Sequence, residues 1–281
     1  MLAAVAEALA DRGALVSFNG RRFDLPLLET RLILNRLSLP CQGLPHLDLL
    51  YPARRIYRGR LPSCRLAVLE SALLRVERED DIPGWAIPSL YFDYLRVGRA
   101  GPLRHVFRHN ALDILSLVTL TAHLGGLAGG SAARHPEDIL ALGRWDESEG
   151  RLEAAASLYQ AALEGGLEGA PRSYARYRLA HLCRRLGRWE DAERLWRRQA
   201  DDGGALGRRL EAIIELAKVE EHRRRDYAAA DALTTRALSL LEVAALRGGQ
   251  GAACLPTREA LEHRLWRLRR RQGGRTRPCD R

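Results

Sequence analysis

Apolar and polar positions change rhythm along the chain, and the change divides it. The front part mixes short apolar runs with stretches of helical period. Residues 3–12 read as a helix, and LVSF at 15–18 reads as a short buried strand, entered from Gly13 and stopped by Asn19-Gly20. The apolar character of that run suits a strand paired on both sides. DLPLLETRLILNRL at 24–37 has helical spacing, with Asp24 as its N-cap and Pro26 in its first turn. HLDLL at 46–50 predicts a short strand or strand end. Ser63 caps a helix running through Leu74, 80–88 (DDIPGWAIP) is loop, and helices cover about 89–96 and 102–124. Strand, helix, strand and then further helices predict an α/β domain over residues 1–124.

The stretch 125–137 (GGLAGGSAARHPE) is rich in glycine, contains a proline and reads as a linker. Behind it the pattern is helical throughout. Gly150, Leu152, Ala155 and Tyr159 set a template that Gly187, Trp189, Ala192 and Trp196 repeat, and that Arg225, Tyr227, Ala230 and Thr234 repeat more weakly. From Gly150 to Gly187 is 37 residues, and from Gly187 to Arg225 is 38. Small residues at the third template position let paired helices approach, and aromatics at the fourth fill the groove. This resembles tetratricopeptide repeats, whose usual period is ~34. Residues 138–245 are therefore expected to form an all-α helical-repeat domain, and 246–281 a capping helix with a basic tail. A generic antiparallel helical array is the alternative.

Composition narrows the class. Apolar residues make up 46% of the chain, which a globular protein needs and a disordered one lacks. No apolar run approaches the ~20 residues of a membrane span, so no membrane partner is expected. The first residues, MLAAVAEALADRG, carry Glu7 and Asp11 and lack the basic start and cleavage site of a signal peptide, which predicts a cytoplasmic protein. The five cysteines (Cys41, Cys64, Cys183, Cys254 and Cys279) are too scattered for a zinc motif and read as reduced thiols. Net charge is +10, and Lys218 is the only lysine. Residues 264–281 hold eight arginines against Asp280. That tail suits a phosphate backbone, or it is simply a solvated end.

The most informative motif is NGRRFDLPLL at 19–28. A strand delivers the chain to a turn, and Asp24 emerges at a helix start beside the strand's C-terminal end, where sites form in open α/β sheets. Phe23 and Leu27 are expected to pin the turn. N-G-x-x-F-D-x-P-x-L resembles the second motif of the DEDD exonucleases, the proofreading class of the ribonuclease H-like superfamily. SCRLAVLE at 63–70, REDDIPGWAIPSLY at 78–91 and HNALDILSL at 109–117 follow in the order of a prokaryotic branch of that superfamily. The resemblance covers about residues 5–124. It implies a ribonuclease H-like 3′–5′ exonuclease domain acting on nucleic acid, DNA or RNA.

In that class the third motif sets a helix-borne Asp behind a Tyr or His. Here it matches Asp113, with His109 four residues earlier in the tyrosine slot. The resemblance thus assigns Asp24, His109 and Asp113 as catalytic, Asp24 and Asp113 as metal ligands, and Asn19 and Phe23 as substrate-binding. Such enzymes hold two divalent ions about 4 Å apart between four carboxylates; one activates the attacking water and the other stabilises the leaving oxygen. Mg2+ or Mn2+ is the expected cofactor. Each residue also has a plainer reading: Asp24 as an N-cap, His109 as a bonded helix residue, and Asp48 as structural support. Trp85 is the one aromatic considered for contact with a base.

One element of the pattern is missing. The family's first motif, Asp-x-Glu on a strand upstream of 15–18, has no counterpart, because the fourteen preceding residues read as one helix. Glu7 and Asp11 lie one turn apart on that helix and do not replace it. The expectation is therefore an N-terminally truncated domain with an incomplete sheet, from a gene start set too late or from degeneration. The former is favoured, since a core without its central strand is hard to stabilise. As it stands the polypeptide is expected to be inactive. The alternative function is a non-catalytic scaffold whose helical repeats bind a protein partner.

Overall fold

The computed structural model describes residues 2–10, 12–37, 43–78, 81–130, 133–202, 205–246 and 257–273. The chain divides into two compact units, residues 1–133 and 134–281.

In the front unit, α1 (Leu2–Ala10) precedes β1 (Leu15–Ser17), α2 (Asp24–Leu34) and β2 (His46–Asp48). The strands are parallel, with Leu15 opposite His46, Val16 opposite Leu47 and Ser17 opposite Asp48. Parallel strands need a crossover, and α2 provides it. Among the described residues the sheet has these two strands alone. Val16 is 48% exposed. β1 is therefore not buried on both sides as its composition suggested, because with one neighbour its outer edge and one face stay open. The cysteines at 41, 254 and 279 lie outside the described residues; Cys64 and Cys183 are free thiols.

The helix α3 (Leu50–Tyr57) was not foreseen from sequence. Its Leu50, Ala53, Ile56 and Tyr57 are buried with Leu32, Leu69, Leu120 and Leu124 in the core of this unit. Next, α4 (Leu66–Leu69) runs into a wider π turn at Glu70–Leu74. The cap expected at Ser63 is corrected: the cap position is Arg65, no side chain bonds the helix N-terminus, and the Ser63 hydroxyl accepts the Arg65 N–H just ahead of it. The expected loop at 80–88 contains a short 3-10 turn, Gly84–Ala86, and passes directly into α5 (Ile87–Val97).

α6 spans Leu103–Ala128, so it extends into the glycine-rich stretch read as linker. Its 26 residues are long and apolar enough to cross a membrane by length and composition alone, which corrects the expectation that no segment is. In this unit Ser116, Leu120 and Leu124 bury one stripe of α6, and Tyr57 Oη meets His123 Nε2 at 2.7 Å.

The second unit is helical: α7 (Pro136–Ser148), α8 (Leu152–Glu164), α9 (Gly169–Arg185), α10 (Trp189–Asp201), α11 (Leu206–Val219), α12 (Tyr227–Leu246) and α13 (Arg258–Gly273). α11 ends in a π turn over Glu220–Arg224. The repeat template has a structural meaning at every position. Gly150, Gly187 and Arg225, which open it, all have left-handed backbones, at φ +78°, +76° and +56°. Ala155, Ala192 and Ala230 are 0% exposed, so a larger side chain there would have to displace a neighbouring helix. Tyr159, Trp196 and Thr234 are buried behind them. Ion pairs tie successive repeats: Arg178 to Glu147, Arg184 to Glu215 and Arg224 to Glu193 each span 31 residues.

The basic tail is partly committed within the fold. Glu221 is fully buried and accepts hydrogen bonds from Arg264 at 2.7 Å and Arg267 at 2.9 Å, while Arg269 pairs with Asp231 at 3.0 Å. A buried carboxylate is tolerable only when paired. These arginines tie α13 to the π turn after α11 and to α12. The part of the tail at 274–281 lies outside the described residues.

Candidate functional site

The turn at Asn19-Gly20 shapes the entrance to the site. Asn19 sits at φ +64°, a left-handed position that asparagine tolerates. A Cβ at Gly20 would come within 2.5 Å of Ser17 Oγ, so only glycine fits. Asp48, buried at the end of β2, holds this turn: its carboxylate accepts the backbone N–H groups of Asn19 (2.7 Å), Arg21 (3.1 Å) and Leu50 (3.1 Å). Asp48 is thus occupied in supporting the backbone.

α2 starts at Asp24, but the cap position is Phe23 and no side chain bonds the helix N-terminus there. The N-cap role expected for Asp24 is corrected: its carboxylate is one position too far along to cap, and it is exposed toward the cleft. Phe23 is 65% exposed and does not line that cleft, so it neither pins the turn nor faces the other candidates. Leu27 is also exposed.

Asn19, Asp24, His109 and Asp113 line one cleft of about 1260 Å³. The last two come from α6, one turn apart, with His109 Nε2 3.5 Å from Asp113 Oδ2. Three further residues complete the electrostatics: Glu70, Arg78 and Asp81. The Arg78 guanidinium donates through Nη2 to Glu70 Oε1 and to Asp113 Oδ1 (2.6 Å), and through Nη1 to Asp81 Oδ2 (3.0 Å). His109 Nδ1 lies 2.9 and 2.8 Å from the two Asp81 oxygens. Burial alone would lower the Arg78 pKa, but the Glu70, Asp113 and Asp81 carboxylates more than offset it and push it up, so the guanidinium stays charged. For Asp81, burial favours the neutral acid, but bonds from His109 and Arg78 hold its pKa below the usual aspartate value.

This cluster was not read from the sequence as a site. Residues 70, 78 and 81 lie within stretches quoted for the resemblance, yet nothing in their local spacing says that one arginine gathers carboxylates from three segments. Trp85, 81% exposed, stands just beyond the cleft-lining residues Ile82, Pro83 and Gly84.

A divalent ion here would draw on hard oxygen donors. Asp24 and Asp113 line the same cleft, but Asp113 Oδ1 already accepts from Arg78; Asp48 is spent on backbone N–H donors, and Glu70 meets Arg78 through one oxygen. No cluster of three or more side chains suited to a metal occurs among the described residues. Two carboxylates, one of them already paired with Arg78, are fewer than a pair of ions needs.

Comparison with known proteins agrees with this architecture. Residues 1–125 match the model of the RNase H superfamily, and residues 140–245 match that of the tetratrico peptide repeat. The chain is also similar to the uncharacterized protein YprB of Bacillus subtilis (strain 168), with 31% identity over 268 residues. That alignment covers 93% of this chain and 61% of the relative, so the chain spans less than two thirds of the relative's length. No solved structure matches. The chain therefore joins a ribonuclease H superfamily domain to a set of tetratricopeptide repeats.

Proposed function

We propose that the front domain is of the metal-dependent 3′–5′ exonuclease class, hydrolysing phosphodiester bonds in DNA or RNA. The repeats, in this reading, bind a protein partner. The observation that carries it is the shared cleft: Asp24 from a strand–turn–helix junction and the His109/Asp113 pair from α6 line the same cavity. Asp24 and Asp113 would hold Mg2+ or Mn2+, which supplies an activated water and charge stabilisation at the phosphate. His109 would orient that water and take its proton.

Two carboxylates are half of what two-ion chemistry needs. The other half would come from an Asp-x-Glu strand laid against the open edge of β1, where it would also cover Val16. The non-catalytic scaffold is the second reading, favoured by one observation: Asp113 already has an ion-pair partner in Arg78.

The test measures Mn2+ binding and Mn2+-dependent hydrolysis of end-labelled single-stranded DNA and RNA. This chain is compared with a version extended by the codons upstream of Met1 in the same frame. The expected result is weak binding in the first, lowered by Asp24→Asn and by Asp113→Asn, and hydrolysis in the second that Asp24→Asn abolishes. Hydrolysis indifferent to Asp24→Asn, or none in either protein, would leave the scaffold reading in place.

A further inference from the structure

We infer that Asp81 is a positioning residue for His109, held in turn by Arg78, and that together they aim the histidine's Nε2 into the cleft beside Asp113. The inference deepens the nuclease reading and rests on it only for the use to which His109 is put.

A histidine that takes a proton from water needs one ring nitrogen bare and aimed, and the other held by an acceptor that fixes the tautomer. Asp81 is placed to be that acceptor. Both its oxygens lie within 2.9 Å of His109 Nδ1, nearer than Arg78 Nη1 at 3.4 Å; with Nδ1–H donating to the closer carboxylate, Nε2 carries the lone pair. Nε2 then lies on the Asp113 side, 3.5 Å from Oδ2.

Asp81 is itself tied down. Its Oδ1 accepts the Ile82 backbone N–H at 3.0 Å, and its Oδ2 accepts Arg78 Nη1 at 3.0 Å. The same guanidinium reaches Asp113 Oδ1 through its other nitrogen. A planar fork with fixed donor angles sets the Asp81 and Asp113 carboxylates in one relative position, which a lysine ammonium cannot do. Arg78 is fixed from behind by Glu70, whose side chain is 1% exposed and whose Oε1 meets Nη2. The other Glu70 oxygen and Arg78 Nε are buried without a hydrogen-bond partner among the described residues.

The ring tautomer can be read without any enzymatic activity, so failure of this inference is distinguishable from failure of the nuclease assignment. The full chain is labelled with 15N in its histidine rings, and long-range 1H–15N spectra are recorded at a pH of about 8, where ordinary histidines are neutral. His109 is assigned by the signal that His109→Gln removes. Far-ultraviolet circular dichroism checks that each variant is folded.

In the wild-type protein His109 is expected as the Nδ1–H tautomer. Asp81→Ala should convert it to Nε2–H. Arg78→Lys, which keeps the charge and loses the fork, should give a mixture of the two. A wild-type His109 in the Nε2–H form overturns the inference without need of a variant. A folded Asp81→Ala protein that keeps Nδ1–H overturns the role of Asp81, and an unmixed Nδ1–H signal in Arg78→Lys overturns that of Arg78.

Discussion

Gly187 opens the second repeat template at φ +76°, in a left-handed turn between α9 and α10. A Cβ built on it meets nothing within 4 Å. Any loss on Gly187→Ala is therefore backbone strain and not collision. An L-residue in that region costs roughly 1–2 kcal/mol. Alanine recovers roughly 0.4–1 kcal/mol by narrowing the unfolded ensemble. The net expectation is a loss of about 1 kcal/mol, or ~3 °C in melting temperature for a unit of this size. Asparagine visits the left-handed region more readily, so Gly187→Asn should fall between glycine and alanine. The assay is urea unfolding followed by tryptophan fluorescence in a Trp85→Phe background, which leaves Trp145, Trp189, Trp196 and Trp266, all in the repeat unit, as reporters. The order should be glycine, then asparagine, then alanine, with the denaturant slope unchanged. Alanine equal to or better than asparagine would refute the reasoning. So would a neutral Gly187→Ala.

The same unit carries three further expectations. Ala192 is 0% exposed, so Ala192→Leu should overpack the α9–α10 contact by about 1–3 kcal/mol and lower the unfolding midpoint in the same fluorescence assay; an unchanged midpoint would mean the repeat register is wrong. Glu221→Ala leaves Arg264 and Arg267 facing an empty buried position, and should cost on the order of 3 kcal/mol while making α13 sensitive to limited proteolysis. The Glu211 pKa is held below the usual glutamate value, chiefly by the neighbouring His181, whose Nε2 lies 3.6 Å away, and, against the opposing effect of burial, by the hydrogen bond from Tyr177. A lowered folded-state pKa contributes stability that is present above the unfolded value and lost as pH falls through the folded one. Acid should therefore weaken this unit below a pH of about 4, and Glu211→Gln should flatten that decline in thermal melts across the range.

The repeats were legible because one physical requirement recurs. Each helix pair needs a left-handed turn, a small residue at the crossing and a bulky one behind it. Gly150 and Gly187, Ala155 and Ala192, Tyr159 and Trp196 announce those three needs in order. Even the third copy, where Arg225 and Thr234 blur the letters, keeps the geometry, with Arg225 at φ +56°. α3 was missed for the opposite reason. LYPARRIY has a proline in its first turn and buries Leu50, Ala53, Ile56 and Tyr57 only through contacts distant in sequence, such as that of Tyr57 with His123 of α6, which is tertiary information. The burial of β1 was overestimated on the same account. Its composition describes the sheet it is suited to, and with a single neighbour Val16 stays half exposed.

For the site, sequence and structure divide the work along a physical line. Asp24, His109 and Asp113 could be named because the family resemblance rests on short motifs, and short motifs keep their spacing locally: four residues bring His109 and Asp113 to one face of α6, and a glycine at 20 brings the chain round to Asp24. The link between Glu70, Arg78, Asp81 and His109 has no such local signature. It joins a π turn, a loop and the middle of α6, with partners 8, 3, 35 and 28 residues apart in the pairs that matter. Yet charge arithmetic would have pointed to it. Glu70 follows an apolar run, LAVL, on a helix that has to bury one face, so its carboxylate was bound either to lie outside the core or to take a cation inward with it. The nearest cations of sufficient reach that follow are Arg75 and Arg78, and Arg75, at φ +57° where the π turn ends, is exposed. That leaves Arg78 as the buried counter-charge. Once a guanidinium is fixed beside a cleft, its terminal nitrogens seek acceptors, and Asp81 and Asp113 are those acceptors. The demand for a satisfied buried charge thus reaches from an apolar helix face to the orientation of the cleft's histidine.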